Sequence, residues 1–336
     1  MATPRVKSGW ALTGAIVSAV VLTGSLAGQT RTDTQPVMTK DWKTPLTAWG
    51  DPDLQGIYTT DALGQNVPFE RDQKLGTQAW WTQEEADKRR AERRTAIAFG
   101  PAGTVGNYGY EWRDTERARP STQTSLLIDP PDGRLPPRTT EGQRRLANRP
   151  KPPARPNGPE DLPQTWLRCI TRGLPGVMIP NGYNNGLQVV QAPGYVMLFY
   201  EMIHESRIVP LDGRPHADKK IKQWWGDARG RWDGDTLVVE TTNFSPKSSF
   251  EGSSENMRLV ERFVRTGPDT IDYRFTVDDP TIWTKPFTAL LQLEADRGEY
   301  SYELWEYACH EGNYALTNIL KAVRAEERAE AAKGRK

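Results

Sequence analysis

The sequence is poor in the two residue types on which many metal and redox sites depend. It has 2 Cys and 3 His among 336 residues, with no Cys-x-x-Cys pair and no His-Glu-x-x-His segment. A Gly-rich phosphate loop and a Gly-x-Ser-x-Gly elbow are also missing. These absences exclude the strong motifs of many common enzyme classes. We therefore expect no cofactor and no bound metal.

An excess of charge of one sign is also lacking. The 44 Lys and Arg nearly balance the 43 Asp and Glu, so net charge gives no reason to expect a nucleic acid or a membrane surface as a partner. The basic run 88–94 has acidic residues beside its cations and no aromatic side chains for base stacking, which is typical of a solvated helix face. We expect no nucleic-acid partner.

The longest apolar stretch lies at the start of the chain. Arg5 and Lys7 precede an apolar segment at 10–22, and Ser25 and Ala27 are small at the two positions that a signal peptidase reads. The pattern predicts a signal peptide, residues 1–27. The alternative is a membrane anchor, but polar residues interrupt the segment and it is shorter than the roughly 20 residues of a span. We expect a periplasmic or secreted protein without membrane contact after cleavage.

Two cysteines in an oxidising compartment favour a disulfide between Cys169 and Cys309. Such a bridge would close a loop of about 140 residues, worth at most about 5 kcal/mol in the chain-entropy model. The alternative is that both thiolates bind a metal, which export disfavours.

The composition divides the mature chain near residue 165. Residues 28–165 are rich in Pro, Arg and Gly and carry helix signals, including a capping box at 82–85 that predicts a helix to about Phe99. A second helix is predicted from Thr140 to before Pro150, followed by an extended Pro-rich connector. We expect 28–165 to form an N-terminal extension.

Residues 166–325 carry nearly all the strand signals. Apolar side chains alternate with polar ones at 270–277 and 287–293, and Asp-Gly pairs mark turns between short strands. The pattern predicts a mainly β fold, an antiparallel β-barrel or sandwich. A helical stripe at 316–323 predicts a C-terminal helix docked on this core.

Three segments carry a family resemblance: Trp49–Gly56 (WGDPDLQG), Gly230–Val239 (GRWDGDTLVV) and Tyr307–Tyr314 (YACHEGNY). They resemble a family of exported bacterial proteins, which implies export and a shared fold but no catalytic residue. In addition, Gly56-Ile57-Tyr58 is similar to the opening strand of lipocalin-type barrels. That likeness implies a cup for a small, largely apolar ligand.

The scarce histidines lie beside acidic residues, most densely at Glu201, His204, Glu205 and Arg207. On one continuous strand through 196–207, His204 would lie on one face and the other three residues on the opposite face. If His204 points inward, it is a candidate general base oriented by a carboxylate. If it points outward, Glu201, Glu205 and Arg207 line the cup.

His310 is the second candidate, because the neighbouring Cys309 would hold its backbone. His216 follows an Asp-Gly turn and is expected to be an ordinary loop histidine. Each histidine can instead be a hydrogen-bonded packing residue. A metal site would need all three histidines to converge, and no spacing requires this.

Aromatic residues are the candidates for ligand contact. Trp224 and Trp225 are adjacent, so on a strand one of them must face away from the core or into a pocket. Tyr302 is the third candidate, on the strand predicted before His310.

These residues support two main hypotheses about function. The first is a cofactor-independent lyase, isomerase or hydrolase acting on a small, partly apolar molecule, with His204 or His310 as acid or base, Glu201 or Glu205 as the orienting carboxylate, and Arg207 holding an anionic group. The second is a periplasmic or secreted protein that binds a small ligand without catalysis. A third interpretation is a partner-binding envelope protein that uses the Pro-rich connector.

Overall fold

The chain folds into ten antiparallel strands that form a nearly closed barrel, which confirms the predicted fold class. The computed structural model describes residues 42–61, 63, 67–96, 121–149, 151, 153, 155–162, 165–248, 250–295 and 303–333. The predicted signal peptide 1–27 and Tyr302 lie outside these residues. The strands are β1 (Gly56–Thr59), β2 (Leu127–Asp129), β3 (Gly186–Ala192), β4 (Tyr195–Tyr200), β5 (Glu205–Pro210), β6 (Asp227–Asp233), β7 (Thr236–Thr242), β8 (Arg258–Arg265), β9 (Thr270–Asp278) and β10 (Phe287–Glu294).

Hydrogen bonding gives the strand order β5-β4-β3-β1-β10-β9-β8-β7-β6. Both β1 and β2 pair with the same edge of β10: β1 pairs near the C-terminal end of β10 and β2 pairs near its N-terminal end. Thus β1 and β2, which precede residue 166, belong to the barrel sheet. β5 and β6 lie side by side where the barrel closes. Gly230 of β6 permits this approach, since a Cβ there would lie 2.7 Å from Val209 and 2.5 Å from Leu211.

The period-two pattern predicted for the strands is confirmed. Ile271, Tyr273, Phe275 and Val277 of β9 are all fully buried in the barrel interior. Large rings fill this interior: Tyr58, Tyr200, Phe263, Tyr273, Phe275 and Phe287. Burying each ring contributes roughly 1.5–3 kcal/mol, so packing in the barrel interior contributes substantially to stability.

The prediction of one continuous strand through 196–207 was wrong. A 3₁₀ turn at Met202–His204, with Ile203 and His204 at positive φ, separates β4 from β5. The resulting hairpin pairs Tyr200 with Glu205 and Leu198 with Arg207. Directly paired residues point to the same face of a sheet, so Glu205 and Arg207 face the barrel interior together with the apolar side chains of β4.

The described residues include three α-helices: α1 (Gln83–Ala96), α2 (Thr140–Ala147) and α3 (Tyr314–Lys333). The predicted capping box begins α1, where the Thr82 N–H donates to Glu85 Oε2 (2.8 Å) and the Glu85 N–H donates to Thr82 Oγ1 (3.2 Å). The predicted end of this helix, Phe99, lies outside the described residues.

The second helix, α2, has Thr139 as its N-cap, one residue before the predicted start, because the Thr139 hydroxyl accepts the Gly142 N–H at 2.9 Å. The helix α3 contacts the Pro-rich connector, where Arg324 donates to the Pro156 carbonyl (2.9 Å) and Glu330 pairs with Arg155. Over the described residues, no helix has the length and apolar character needed to cross a membrane.

Candidate functional site

The predicted disulfide is confirmed: Cys169 and Cys309 are bonded, with a Cα–Cα distance of 5.8 Å. Asn313 reinforces the junction by donating to the Leu167 carbonyl (3.1 Å) and to Cys169 Sγ (3.3 Å). The middle of the chain and its C-terminal part therefore meet at one place. A disulfide of this kind fits an oxidising compartment.

A pocket of about 340 Å³ lies beside this disulfide. We call it the disulfide pocket. Its lining residues are Trp166, Leu167, Asn184, Glu306, Tyr307, Ala308, Cys309, Gly312, Asn313 and Ala315. The Trp166 ring is 43% exposed, and burial raises the pKa of the Tyr307 hydroxyl, which stays neutral as a donor. The pocket thus combines aromatic surface with amide and hydroxyl groups.

Glu201 positions one wall of the disulfide pocket. Its buried carboxylate accepts hydrogen bonds from Asn184 Nδ2 (3.0 Å), the Trp305 N–H (3.0 Å) and the Gly186 N–H (3.1 Å). These donors come from two segments, 184–186 and the chain around Trp305, and Asn184 is a pocket residue. Glu201 therefore fixes the positions of Asn184 and of the segment that leads from Trp305 to Cys309.

Thr171 fixes the orientation of Glu205. Its Oγ1 accepts hydrogen bonds from Trp225 Nε1 (2.6 Å) and the Gly173 N–H (2.9 Å). A hydroxyl has two acceptor lone pairs and one hydrogen, so the hydrogen points to Glu205 Oε2 at 3.0 Å. The same oxygen accepts the Arg172 N–H at 3.4 Å. Glu205 and Trp225, both predicted site residues, are thus brought together by Thr171, which sequence reasoning missed.

Glu205 is the acidic residue whose titration the fold places near neutral pH. Burial raises its pKa to about 7, although the hydrogen bonds from Thr171, Arg172 and Trp225 oppose this shift. Thr171 and Arg172 both donate to Glu205 Oε2, so this oxygen is fixed by two donors from one loop.

Arg207 is committed to a buried ion pair inside the barrel. Its guanidinium donates to both oxygens of Glu261, at 2.5 and 3.0 Å, and to the Tyr200 hydroxyl at 3.0 Å. Glu261 also accepts the Tyr273 hydroxyl at 2.9 Å. Burial alone would lower the pKa of Arg207, but the charge of Glu261 outweighs it and the pKa is raised. This geometry stabilises the barrel interior and does not place the Arg207 guanidinium in a described pocket.

The structure does not bring the imidazoles of the predicted acid-base residues His204 and His310 into hydrogen-bonding contact with the side chains of Glu201, Glu205 or Arg207. The side chains of His204 and His310 are exposed, and no hydrogen bond connects either imidazole to the described residues. His310 does follow Cys309 at the edge of the disulfide pocket.

The adjacent residues Trp224 and Trp225 lie in a turn rather than on a strand. Trp225 packs inward on Tyr200, with 5.0 Å between ring centroids, whereas Trp224 lines a separate cleft on the other side.

His216 makes the contacts that resemble an acid-base pair. Its Nδ1 lies 2.9 Å from Asp227 Oδ2, and its Nε2 lies 3.8 Å from Glu240 Oε1. Although burial opposes it, the hydrogen bonds from the Ala217 N–H, His216 and Arg229 lower the pKa of Asp227. The pair joins a loop to the first residue of β6, so no periodicity in the sequence marks it.

The described part of the chain contains no group of three or more His, Cys, Asp or Glu placed to hold a metal ion. No family model, curated protein or solved structure matches the chain. The functional interpretation therefore depends on the geometry of these clusters.

Proposed function

We propose that the protein is exported and binds a small, partly apolar molecule in the disulfide pocket. The observation that carries the proposal is the pairing of two aromatic side chains, Trp166 and Tyr307, with the amides of Asn184 and Asn313 in one concave site. Ligand sites are mostly apolar with a few placed polar groups. The predicted signal peptide 1–27 and the disulfide support a periplasmic or extracellular location.

The pocket favours a ring that carries hydroxyl or carbonyl groups. Its volume of about 340 Å³ is at the lower end of the range for small-molecule sites. The half-exposed indole of Trp166 offers a flat face for stacking. Apart from Glu306, the polar side chains of the lining are uncharged, including the amides of Asn184 and Asn313 and the Tyr307 hydroxyl, which suits a neutral polar edge better than a charged group.

Saturation-transfer NMR with phenyl β-glucoside as the probe tests this proposal. This molecule combines an apolar ring with hydroxyl groups. We expect the signal to be lost in Trp166→Ala and kept in Trp305→Ala, because Trp305 is 68% exposed and does not line the pocket. Equal signals in the two variants would contradict the assignment. Native mass spectrometry of protein from its own source would show a retained ligand directly.

A second candidate function is acid-base catalysis by Glu205, as a lyase, isomerase or hydrolase step on the same kind of molecule. It is favoured by the pKa of about 7, because a general acid or base is most effective when its pKa lies near the working pH. Binding stands first because neither His204 nor His310 contacts this carboxyl. Catalysis requires Glu205 to titrate near neutral pH, which unfolding measurements can check.

A further inference from the structure

A second concavity, of about 780 Å³, lies between α2 and the segments that carry Arg168, Trp224 and Lys247. We call it the basic cleft. Its cations are Arg138, Arg144, Arg145, Arg149, Arg168 and Lys247, and its acids are Glu141 and Glu160. It shares no lining residue with the disulfide pocket. The two concavities are therefore separate sites.

Three of the cations are held by other protein groups. Arg144 pairs with Glu141 at 2.7 Å, and Arg145 lies 3.6 Å from Glu255. Arg138 donates to the Glu251 carbonyl at 2.7 Å, with its guanidinium 4.1 Å from the ring centre of Trp283. These contacts fix the rim of the basic cleft and neutralise part of its charge.

The remaining three cations are available to a ligand. Among the residues that the structure describes, the side chains of Arg149, Arg168 and Lys247 form no hydrogen bond and no ion pair. Glu251 interacts electrostatically with Arg149 and Arg138, which offsets part of the charge on that side. Six cations line the basic cleft against two acids, Glu141 and Glu160, so the concave surface keeps an excess of positive charge. Such a surface concentrates anions.

Apolar surface adjoins these charges. Trp224 lines the basic cleft, and Leu146 of α2 is 50% exposed there. A guanidinium recognises carboxylate, sulfate or phosphate groups through two parallel N–H donors. An indole face recognises a flat ring.

We propose that the basic cleft binds a small organic polyanion built on a planar ring, with the ring against Trp224 and the acidic groups on Arg149, Arg168 and Lys247. This site is independent of the proposed function of the disulfide pocket. Its ligand differs in charge from the neutral molecule expected there.

Isothermal titration calorimetry with benzene-1,3,5-tricarboxylate tests this proposal. The neutral benzene-1,3,5-tricarboxamide has the same shape and serves as the matched probe. We expect the tricarboxylate to bind and the tricarboxamide not to bind. The Arg149→Gln/Arg168→Gln double variant should weaken tricarboxylate binding by about 100-fold, roughly tenfold for each charge-assisted contact. Trp224→Leu should weaken binding by about tenfold, through loss of stacking.

The control is Lys74→Gln/Arg231→Gln, which removes the same charge from exposed positions that do not line the basic cleft. This variant should leave the Kd within about twofold. Equal weakening in both double variants would show diffuse attraction and overturn the proposal. Binding of the tricarboxamide, or no binding of the tricarboxylate to the unmodified protein, would overturn it as well. If the arginine variant fails to fold, as judged by circular dichroism, Lys247→Gln alone should weaken binding about tenfold.

Discussion

The barrel interior and the end that carries the disulfide pocket are stabilised in different ways. Inside the barrel, aromatic rings are fully buried, and the charged pair Arg207–Glu261 has both oxygens of its carboxylate occupied. At the disulfide end, Trp166, Trp305 and Tyr314 keep between 43% and 71% of their surface exposed. The backbone there is irregular and is held by one covalent bond and a few polar contacts.

This difference separates the source of stability from the two proposed binding sites. A packed interior opens only with the whole fold, whereas segments with few buried contacts open at lower cost. Binding residues are commonly placed on irregular segments supported by a rigid scaffold. In this protein the barrel corresponds to the rigid scaffold, and the disulfide end and the basic cleft correspond to the segments that it supports.

Glu261→Gln should have the largest effect, because it leaves the Arg207 charge buried without its partner. Breaking one side of a buried pair costs roughly 3–5 kcal/mol, and the free energy of unfolding measured with urea should fall by that amount. The control is Asp233→Asn, which breaks the exposed pair with Arg262 and should cost less than about 1 kcal/mol. Similar losses in the two variants would mean that the interior pair contributes no more than a surface pair.

Removing the disulfide in a Cys169→Ser/Cys309→Ser variant should have the next largest effect. The free energy of unfolding should fall by about 2–4 kcal/mol, with the barrel still folded. Hydrogen exchange should become faster in 165–175 and 303–313, and probe binding to the disulfide pocket should be lost. A uniform loss of protection in β8, β9 and β10 would contradict the separation between scaffold and binding end.

The barrel could be predicted from the sequence because its signals are local or periodic. The alternation at 270–277 needs no knowledge of distant residues, and the capping box at 82–85 is complete within four positions. The disulfide followed from the number of cysteines and the expected compartment. Each of these predictions depends on a local sequence pattern or on residue counts, and none requires knowledge of contacts between distant residues.

The site could be predicted only in part because its contacts cross the chain. Alternation continues through 196–207, so nothing in the pattern marks the turn at Met202–His204 that brings Glu205 and Arg207 inside. Thr171 meets Glu205 across 34 positions, and the meeting is fixed by how the segment after Cys169 covers the barrel end. Four cations of the basic cleft lie within 138–149, but Arg168 and Lys247 come from distant segments, so no single run of basic residues indicates the cleft.

Glu205→Gln should have the smallest effect, at the boundary between the barrel and the disulfide end. Burial raises the pKa of this carboxyl from 4.5 to about 7, so the folded protein binds the proton more tightly than the unfolded chain does. The contribution of this carboxyl to the free energy of unfolding should therefore be greatest below pH 4.5 and be lost as the pH rises through about 7. Because the carboxyl is only partly buried, we expect a fall of about 1–2 kcal/mol.

The Gln side chain keeps the shape of Glu205 and can still accept from Thr171, but it does not titrate. Subtracting the unfolding free energy of Glu205→Gln from that of the unmodified protein at each pH isolates the contribution of this carboxyl. The difference should decrease between about pH 5 and pH 8. The same subtraction with Glu303→Gln, at an exposed position, serves as the control. A flat difference for Glu205 would place its titration outside the neutral range and remove the physical basis for acid-base catalysis at this end of the barrel.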